Sequence, residues 1–328
     1  MQSKNQLYPS TLHISVALCT YNGSAFLSSQ LESIQAQTRL PYELIVCDDG
    51  STDSTLSILE NFAAQSPFPV RVFRNQQHLG ISANFERAIN LCEGNFIALC
   101  DQDDVWQSNK LDLFAKVFLM GNSWVCCDAE VCDQNLNSLG YSLWELVRFD
   151  HNERSLARKG RFFDILLKHY VVAGATLAFS AQTRDHILPI PQGWYFDAWF
   201  SIVLAATQQV SLKETTLQFY RQHSGNALGA SRKNLLMESK AAFALDRQSY
   251  YAGEIDRWNA LAIRLEILEV KKSTYSQLEA KIAHLNRRAT LPKNRLARWP
   301  TVIAEIMNKG YARYSRNWGS IVFDLIVK

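Results

Sequence analysis

Three carboxylates stand within four positions where an apolar run ends. Phe96 to Cys100 leads straight into Asp101-Gln102-Asp103-Asp104, followed by Val105-Trp106. An apolar run of this length reads as a buried strand. Like charges crowded at its end repel one another unless positive charge sits among them. Three kinds of chemistry fit: a divalent metal ion, the N-terminus of a helix, or a solvated capping loop. A calcium-binding EF-hand is excluded, because Val105 and Trp106 occupy the places of its third ligand and its turn glycine.

Other polar groups follow apolar runs in the same way. His13–Cys19 is followed by Thr20-Tyr21-Asn22-Gly23, and Tyr42–Cys47 by Asp48-Asp49-Gly50-Ser51. His223 and Arg221 lie in Phe219-Tyr220-Arg221-Gln222-His223-Ser224, another apolar-to-polar transition. Asp197 is a single acid among Trp194, Tyr195, Phe196, Ala198 and Trp199. Burial in such company raises a carboxylate's basicity, which suits a general base; capping a helix N-terminus is the compatible structural role. Trp194, Tyr195 and Trp199 fit either an apolar face for a ligand or plain core packing.

The elements that must position these residues alternate. Between the first two strands, Ala25–Gln37 places Phe26, Leu27, Leu31 and Ile34 at helix spacing, and Thr52–Ala64 repeats the pattern with Leu56, Ile58, Leu59 and Phe62. Val70–Asn75 is a third strand, Ser82–Cys92 a third helix and Asn95–Cys100 a fourth strand. Strands alternating with helices of this length give βαβ units and a parallel sheet, with ligands at the strands' carboxyl ends. The polar clusters therefore belong to one edge of the sheet.

Some nucleotide-binding classes are excluded. The first turn, Cys19-Thr20-Tyr21-Asn22-Gly23-Ser24-Ala25-Phe26, has one glycine where a dinucleotide fold needs GxGxxG, and there is no Walker A loop. The seven cysteines all precede residue 133, include no CxxC pair and sit in apolar segments, as reduced structural thiols do.

The strand signals disappear after residue 231, and Ala241–Tyr251, Ile255–Val270 and Tyr275–Arg288 read as helices. This sets an expected division into a catalytic domain, 1–230, and a basic helical region, 231–328. Charge divides in the same place: residues 1–231 carry 16 Lys/Arg against 22 Asp/Glu, and 232–328 carry 18 against 9, for nets of −6 and +9. No apolar leader precedes the first strand and no run reaches the length of a membrane span, so the expected location is cytoplasmic, with peripheral contact on the cytoplasmic face of the inner membrane.

Four segments in order, SVALCTYNG, ELIVCDDGSTDST, NQQHLGISANFERAI and GNFIALCDQDDVWQSNKL, resemble the family 2 inverting glycosyltransferases. With DQDDVW and the downstream YRQH they are most similar to the bacterial rhamnosyltransferase-like branch. The resemblance spans roughly residues 13–226. It implies an α/β GT-A nucleotide-diphospho-sugar transferase fold, Rossmann-like with a mostly parallel sheet, here with a C-terminal helical extension. It implies Asp103 and His223 as ligands of Mn²⁺ or Mg²⁺, which would neutralise the diphosphate leaving group, and Asp101 as a contact to the ribose or a metal-bound water. It also implies Asp49 as acceptor for the N3–H of uracil or thymine, with Thr20, Tyr21 and Asn22 around the base, and Asp197 as base. Asp104 is left as a supporting residue or a cap for a helix near Gln107, Asp48 as a turn residue, and Arg221 as a phosphate contact or a surface residue. Val171–Thr176 resembles the family's acceptor-side strand.

The implied reaction moves a sugar, rhamnose favoured, from a dTDP- or UDP-sugar to a glycan or lipid-linked oligosaccharide in bacterial surface polysaccharide. A non-catalytic nucleotide-sugar or glycan-binding module on the same fold is the rival reading. A nucleotidyltransferase is the second rival, and it lacks its usual Gly-rich basic first loop here. The basic tail, with Lys271-Lys272, Arg287-Arg288 and Lys293/Arg295/Arg298 beside Trp299, fits either an anionic membrane surface or a solvated helical subdomain. Nucleic acid is not an expected partner, since no recognised module accompanies the charge.

Overall fold

The computed structural model describes residues 12–223, 247–316 and 318–327. Their contacts divide them into two units. One draws on Met1–Glu145, Val172–Ile190 and Gln209–Gly229, the other on Leu146–Val171, Pro191–Gln208 and Ala230–Lys328. The expected boundary at 230 falls outside the described residues.

The first unit carries one nine-stranded sheet, with β1 (Ile14–Thr20), β2 (Glu43–Asp48), β3 (Val70–Arg74), β4 (Phe96–Cys100), β5 (Val105–Trp106), β6 (Trp124–Cys132), β7 (Ser138–Ser142), β8 (Leu177–Ser180) and β9 (Ser211–Arg221). The strand order is β3-β2-β1-β4-β8-β6-β9-β5, with β7 also on β6. β3, β2, β1 and β4 run parallel to one another, as β6 does to β9; β8 pairs antiparallel with β4 and β6, β7 with β6, and β5 with β9. β2 and β4 are buried along their whole length, which is why both read as unbroken apolar runs rather than as alternation.

Helices α1 (Leu27–Gln35), α2 (Thr55–Gln65) and α3 (Ile81–Leu91) make the crossovers, and α4 (Lys110–Leu119) follows β5. The apolar stripes of α1, α2 and α4 close a core that includes Val16, Leu18, Leu31, Ile34, Val46, Leu59, Phe114 and Phe118. All seven cysteines are free thiols, and burial pushes those of Cys47 and Cys127 up to about 11. The segment expected as an acceptor-side strand is instead a single tight turn, Gly174–Thr176, and the strand begins after it, at Leu177.

The second unit is helical. It contains α5 (Phe196–Thr207), α6 (Arg247–Ile267), α7 (Lys272–Ala289), α8 (Trp299–Met307), α9 (Gly310–Tyr314) and α10 (Trp318–Ile326). α6 is one helix where the sequence suggested two; the start of the first, 241–246, lies outside the described residues. Much of the tail's basicity is structural. Arg298 donates to the carbonyls of Pro292, Asp324 and Val327 at 2.6–2.7 Å, and buried Arg288 pairs with buried Asp324 at 2.6 Å. No described helix is long and apolar enough to cross a membrane.

Candidate active site

The carboxyl ends of β2, β1 and β4 lie side by side, and their polar clusters are bonded to one another. Thr20 donates its hydroxyl to Asp48 at 2.8 Å. Asp48 is fully buried and also accepts from the Ser51 amide at 2.8 Å and the Ser51 hydroxyl at 2.5 Å. It is a turn residue whose acceptors are used locally. Asn22, held at φ +47°, donates its amide to Ser51 Oγ at 2.8 Å and accepts from the Thr52 amide at 2.9 Å. The first two loops are thus stitched together through backbone groups.

Asp49 is 3% exposed and sits at the N-terminus of α3. Its carboxylate accepts from the Leu79 and Gly80 amides, both at 2.8 Å, and from Asn75 Nδ2 at 2.6 Å. His78 Nδ1 completes the set at 3.0 Å from Oδ2. Two N–H groups at a helix start hold a carboxylate well. Gly80 at φ +81° makes the turn that aims them. Asn75 is itself fixed by Asn84 and Arg87, so the segment from Asn75 to Arg87 builds the seat of Asp49. About four lone-pair positions belong to a carboxylate, and here all four have protein partners. The partner with the most exposed side chain is His78, at 58%.

Beside Asp49 opens a cleft of about 540 Å³ lined by Tyr21, Asp49, Gly50, Arg74, Asn75 and His78 among others. This lies in the range of small-molecule sites. Tyr21 is half-exposed, and its ring stands 4.6 Å from that of His78, tilted by 48°. A flat face beside amide and carboxylate groups suits a nucleobase.

The Asp101–Asp104 loop faces this arrangement. Gln102, which no sequence pattern singles out, clasps the Tyr21 backbone. It accepts from the Tyr21 amide at 2.9 Å and donates to the Tyr21 carbonyl at 3.1 Å. Asp103 Oδ2 is 2.9 Å from His223 Nε2, and both side chains are largely buried. The His223 ring also packs on Phe26, with centroids 4.6 Å apart. Arg221 is not a surface residue. It is 4% exposed and donates to the carbonyls of Asp103 at 2.7 Å and Gln134 at 2.6 Å, and to Ser29 Oγ at 3.1 Å. It anchors the loop from beneath.

Asp104 does not cap a helix. α4 starts later than expected, at Lys110, and Asp104 accepts instead from Gln218 Nε2 at 2.8 Å and the Arg221 amide at 3.1 Å. Burial, then the charges of Asp103 and Asp101, push its carboxyl well above the usual range. Fully buried Lys110 bonds to Gln218 Oε1 and the Ala175 carbonyl and lies 3.9 Å over the Trp106 ring; burial lowers its pKa. Gln218 therefore links an acid and an ammonium that do not touch directly. No pattern of spacing announces it.

Among the described residues no group of three or more His, Cys, Asp or Glu is arranged to hold a metal ion. Asp103 and His223 nevertheless offer one carboxylate oxygen and one imidazole nitrogen at a shared point. Mn²⁺ and Mg²⁺ accept such donors when phosphate oxygens and water complete the shell. The donor set fits a metal that arrives with a diphosphate.

In the second unit, Asp197 is the second residue of α5, with Tyr195 at the N-cap, so Asp197 is not itself the cap. Its Oδ1 accepts from the Ala198 amide at 2.7 Å, and the side chain is half-buried. Of the neighbouring rings, Trp194 and Trp199 are core: Trp194 packs on Trp199 and Trp258 at 5.5 and 5.6 Å and donates its indole N–H to the Arg257 carbonyl at 2.9 Å. Tyr195 is half-exposed.

Residues 15–182 match the family model described as Glycosyl transferase family 2. The dTDP-rhamnosyl transferase RfbG of Shigella flexneri is 26% identical over 262 residues, 75% of this chain and 84% of that one. The matched stretch spans only 27% of the length of relatives in Mycobacterium bovis and Mycobacterium tuberculosis. Among solved structures, S. aureus TarS 1-349 with UDP-GlcNAc superposes with a TM-score of 0.58 at 16% identity, covering 90% of this chain and 81% of that one. The mannosyltransferase PcManGT of Pyrobaculum calidifontis with GDP-Man and Mn²⁺ gives 0.54 at 16% identity, covering 97% and 86%. At these identities the structural likeness is one of fold.

Proposed function

The chain belongs to glycosyl transferase family 2, and from that premise we propose that it is a metal-dependent inverting glycosyltransferase of bacterial surface polysaccharide synthesis. The donor is a dTDP- or UDP-sugar, with rhamnose favoured, and the acceptor is a hydroxyl of a glycan or lipid-linked oligosaccharide. The observation that carries the reading is the pairing of Asp103 with His223, at the end of β4, beside the cleft that opens at the ends of β1 and β2. The name of the Shigella relative supports dTDP-rhamnose as the donor.

In this reading Tyr21 stacks on the base, with Thr20 and Asn22 shaping the turn beneath it. Asp49 accepts the base N3–H in exchange for the exposed His78 ring, and Asp101 contacts the ribose. Asp103 and His223 would hold Mn²⁺ or Mg²⁺, whose charge offsets that developing on the departing diphosphate. Asp197 takes the proton of the attacking acceptor hydroxyl. One carboxylate is enough, because a diphosphate leaves without needing a proton. The catalytic domain is assigned to residues 1–230, which contain every residue named, and 231–328 to a helical extension. That extension contacts the cytoplasmic face of the inner membrane, where a lipid-linked acceptor resides.

A thermal-shift panel of UDP, dTDP, GDP and CMP, each with Mn²⁺, Mg²⁺ or EDTA, tests the reading by mass action. Stabilisation by dTDP or UDP that EDTA abolishes supports it. A folded protein stabilised by none of them sinks it. Binding without turnover of donor or acceptor would return the chain to the class of non-catalytic modules.

A further inference from the structure

Two helices near the C-terminus leave an apolar stripe uncovered. On α8, Trp299, Ile303 and Met307 recur every four residues and are exposed, while Val302 and Glu305 on the other side are buried. On α10 the same spacing exposes Trp318, Val322 and Ile326, while Ile321 and Asp324 are buried. Spacing of i, i+4, i+8 keeps side chains on one helical face. Both helices seat their inner faces on one small core of Leu291, Val302, Tyr311 and Ile321. The outer stripes are therefore surplus to the fold: Met307 is 77% exposed and Trp318 73%.

The exposed charge of the segment that carries these stripes has one sign. From residue 290 onward the chain has two acids, Glu305 and Asp324, and both are buried. Glu305 pairs with His284 and Arg287; Asp324 takes Arg288 and the hydroxyls of Tyr251 and Tyr311. Lys293, Arg295, Lys309, Arg313 and Arg316 are all exposed. The visible charge of the segment is thus wholly positive, interleaved with two indoles and four aliphatic side chains.

We propose that α8 and α10 form an interfacial docking face for an anionic lipid bilayer, with Trp299 and Trp318 entering the headgroup boundary and the five exposed cations facing lipid phosphates. Indoles favour that boundary and aliphatic side chains the acyl layer beneath it. Each cation near an anionic surface adds binding that salt screens. A second copy of the chain is a poor occupant, since it would set cation against cation. The inference deepens the proposed setting at a lipid-linked acceptor and rests on that reading for its purpose, though not for its test.

The test is co-sedimentation of the full chain with vesicles of mixed phosphatidylglycerol and phosphatidylcholine, against phosphatidylcholine alone, at low and high salt. The expected result is salt-sensitive binding to the anionic vesicles only. It should weaken about fivefold for each cation removed in Lys293→Ala and Arg295→Ala, and should also fall in Trp299→Ser/Trp318→Ser. Exposed positions leave the fold intact, which a melting curve checks on each variant. Absence of binding, equal binding to both vesicles, indifference to these substitutions, or dimerisation that the tryptophan substitutions abolish would overturn the proposal. Loss of vesicle binding with nucleotide binding kept removes this inference alone; the reverse outcome removes the transferase reading alone.

Discussion

Gln102 and the Tyr21 backbone form a closed pair: the amide of each donates to the carbonyl oxygen of the other, at 2.9 and 3.1 Å. The pair ties the acidic loop after β4 to the turn after β1. Gly23 leaves the room for it, because a Cβ there would stand 2.1 Å from Gln102 Oε1. Position 23 therefore tolerates no side chain while Gln102 is in place.

Gln102→Ala and Gly23→Ala should each weaken binding of dTDP or UDP by about 1–2 kcal/mol, through the same lost clasp. Because they break one feature, the double variant should lose less than the sum. Calorimetric titration of the four proteins reads this directly, and full additivity would show that the clasp does not order the Tyr21 turn.

Removing Asp103 or His223 should act on the metal rather than on the base. Asp103→Asn should leave no measurable transfer. His223→Ala should cost roughly 10–100-fold in activity, partly recovered as Mn²⁺ is raised. EDTA should reproduce the Asp103→Asn result in the unmodified protein. A rate for His223→Ala indifferent to metal concentration would remove it from the ligand set.

Asp197→Asn tests the base. It keeps the size of the side chain and an acceptor for the Ala198 amide, so the start of α5 should stand. The expected loss is about 10²–10⁴-fold in kcat with donor affinity unchanged. An equal fall in donor affinity would point to a binding role instead.

His78 is the partner of Asp49 that a base N–H would replace. His78→Ala should therefore leave the preference for uracil or thymine nucleotides intact, with affinity for dTDP or UDP unchanged or higher. Asp49→Asn would set an NH₂ against either the Leu79 or the Gly80 amide, which bond different oxygens, and should cost about 1–3 kcal/mol of stability as well as binding. A melting curve beside the titration separates the two effects.

At the other end of the sheet, Glu43 sets an acid dependence. It accepts from Ser15 at 2.7 Å, the Glu93 amide at 2.6 Å and Arg71 at 2.6 Å. Burial alone would raise its pKa, but these bonds and the Arg71 charge more than reverse that, and it lies below its ordinary 4.5. A lowered carboxylate adds stability that is full above the unfolded value and is lost as pH falls through the folded one. Glu43→Gln should cost about 1.5–3 kcal/mol at neutral pH and much less once pH has fallen through the lowered folded value, so its melting point should fall less steeply on acidification. Parallel acid melts of the two proteins would overturn this.

The alternating strands and helices over residues 13–100, and the polar cluster closing each of three parallel strands, are legible in the residues alone. Those signals are local: a strand buried on both faces must be an apolar run, and a helix on a sheet must carry an apolar stripe. The likeness of four ordered motifs to one family was likewise a property of the string. Tertiary structure alone decided which side chains serve each other across the sheet. His223 meets Asp103 over 120 residues, Arg221 spends its donors beneath the loop, and Gln218 joins Asp104 to Lys110. It also decided that Asp49 is saturated by the start of α3, and that the last helices hide both of their acids while exposing two apolar stripes. Hydrogen bonds between loops depend on where the chain has travelled, and periodicity records only the next turn.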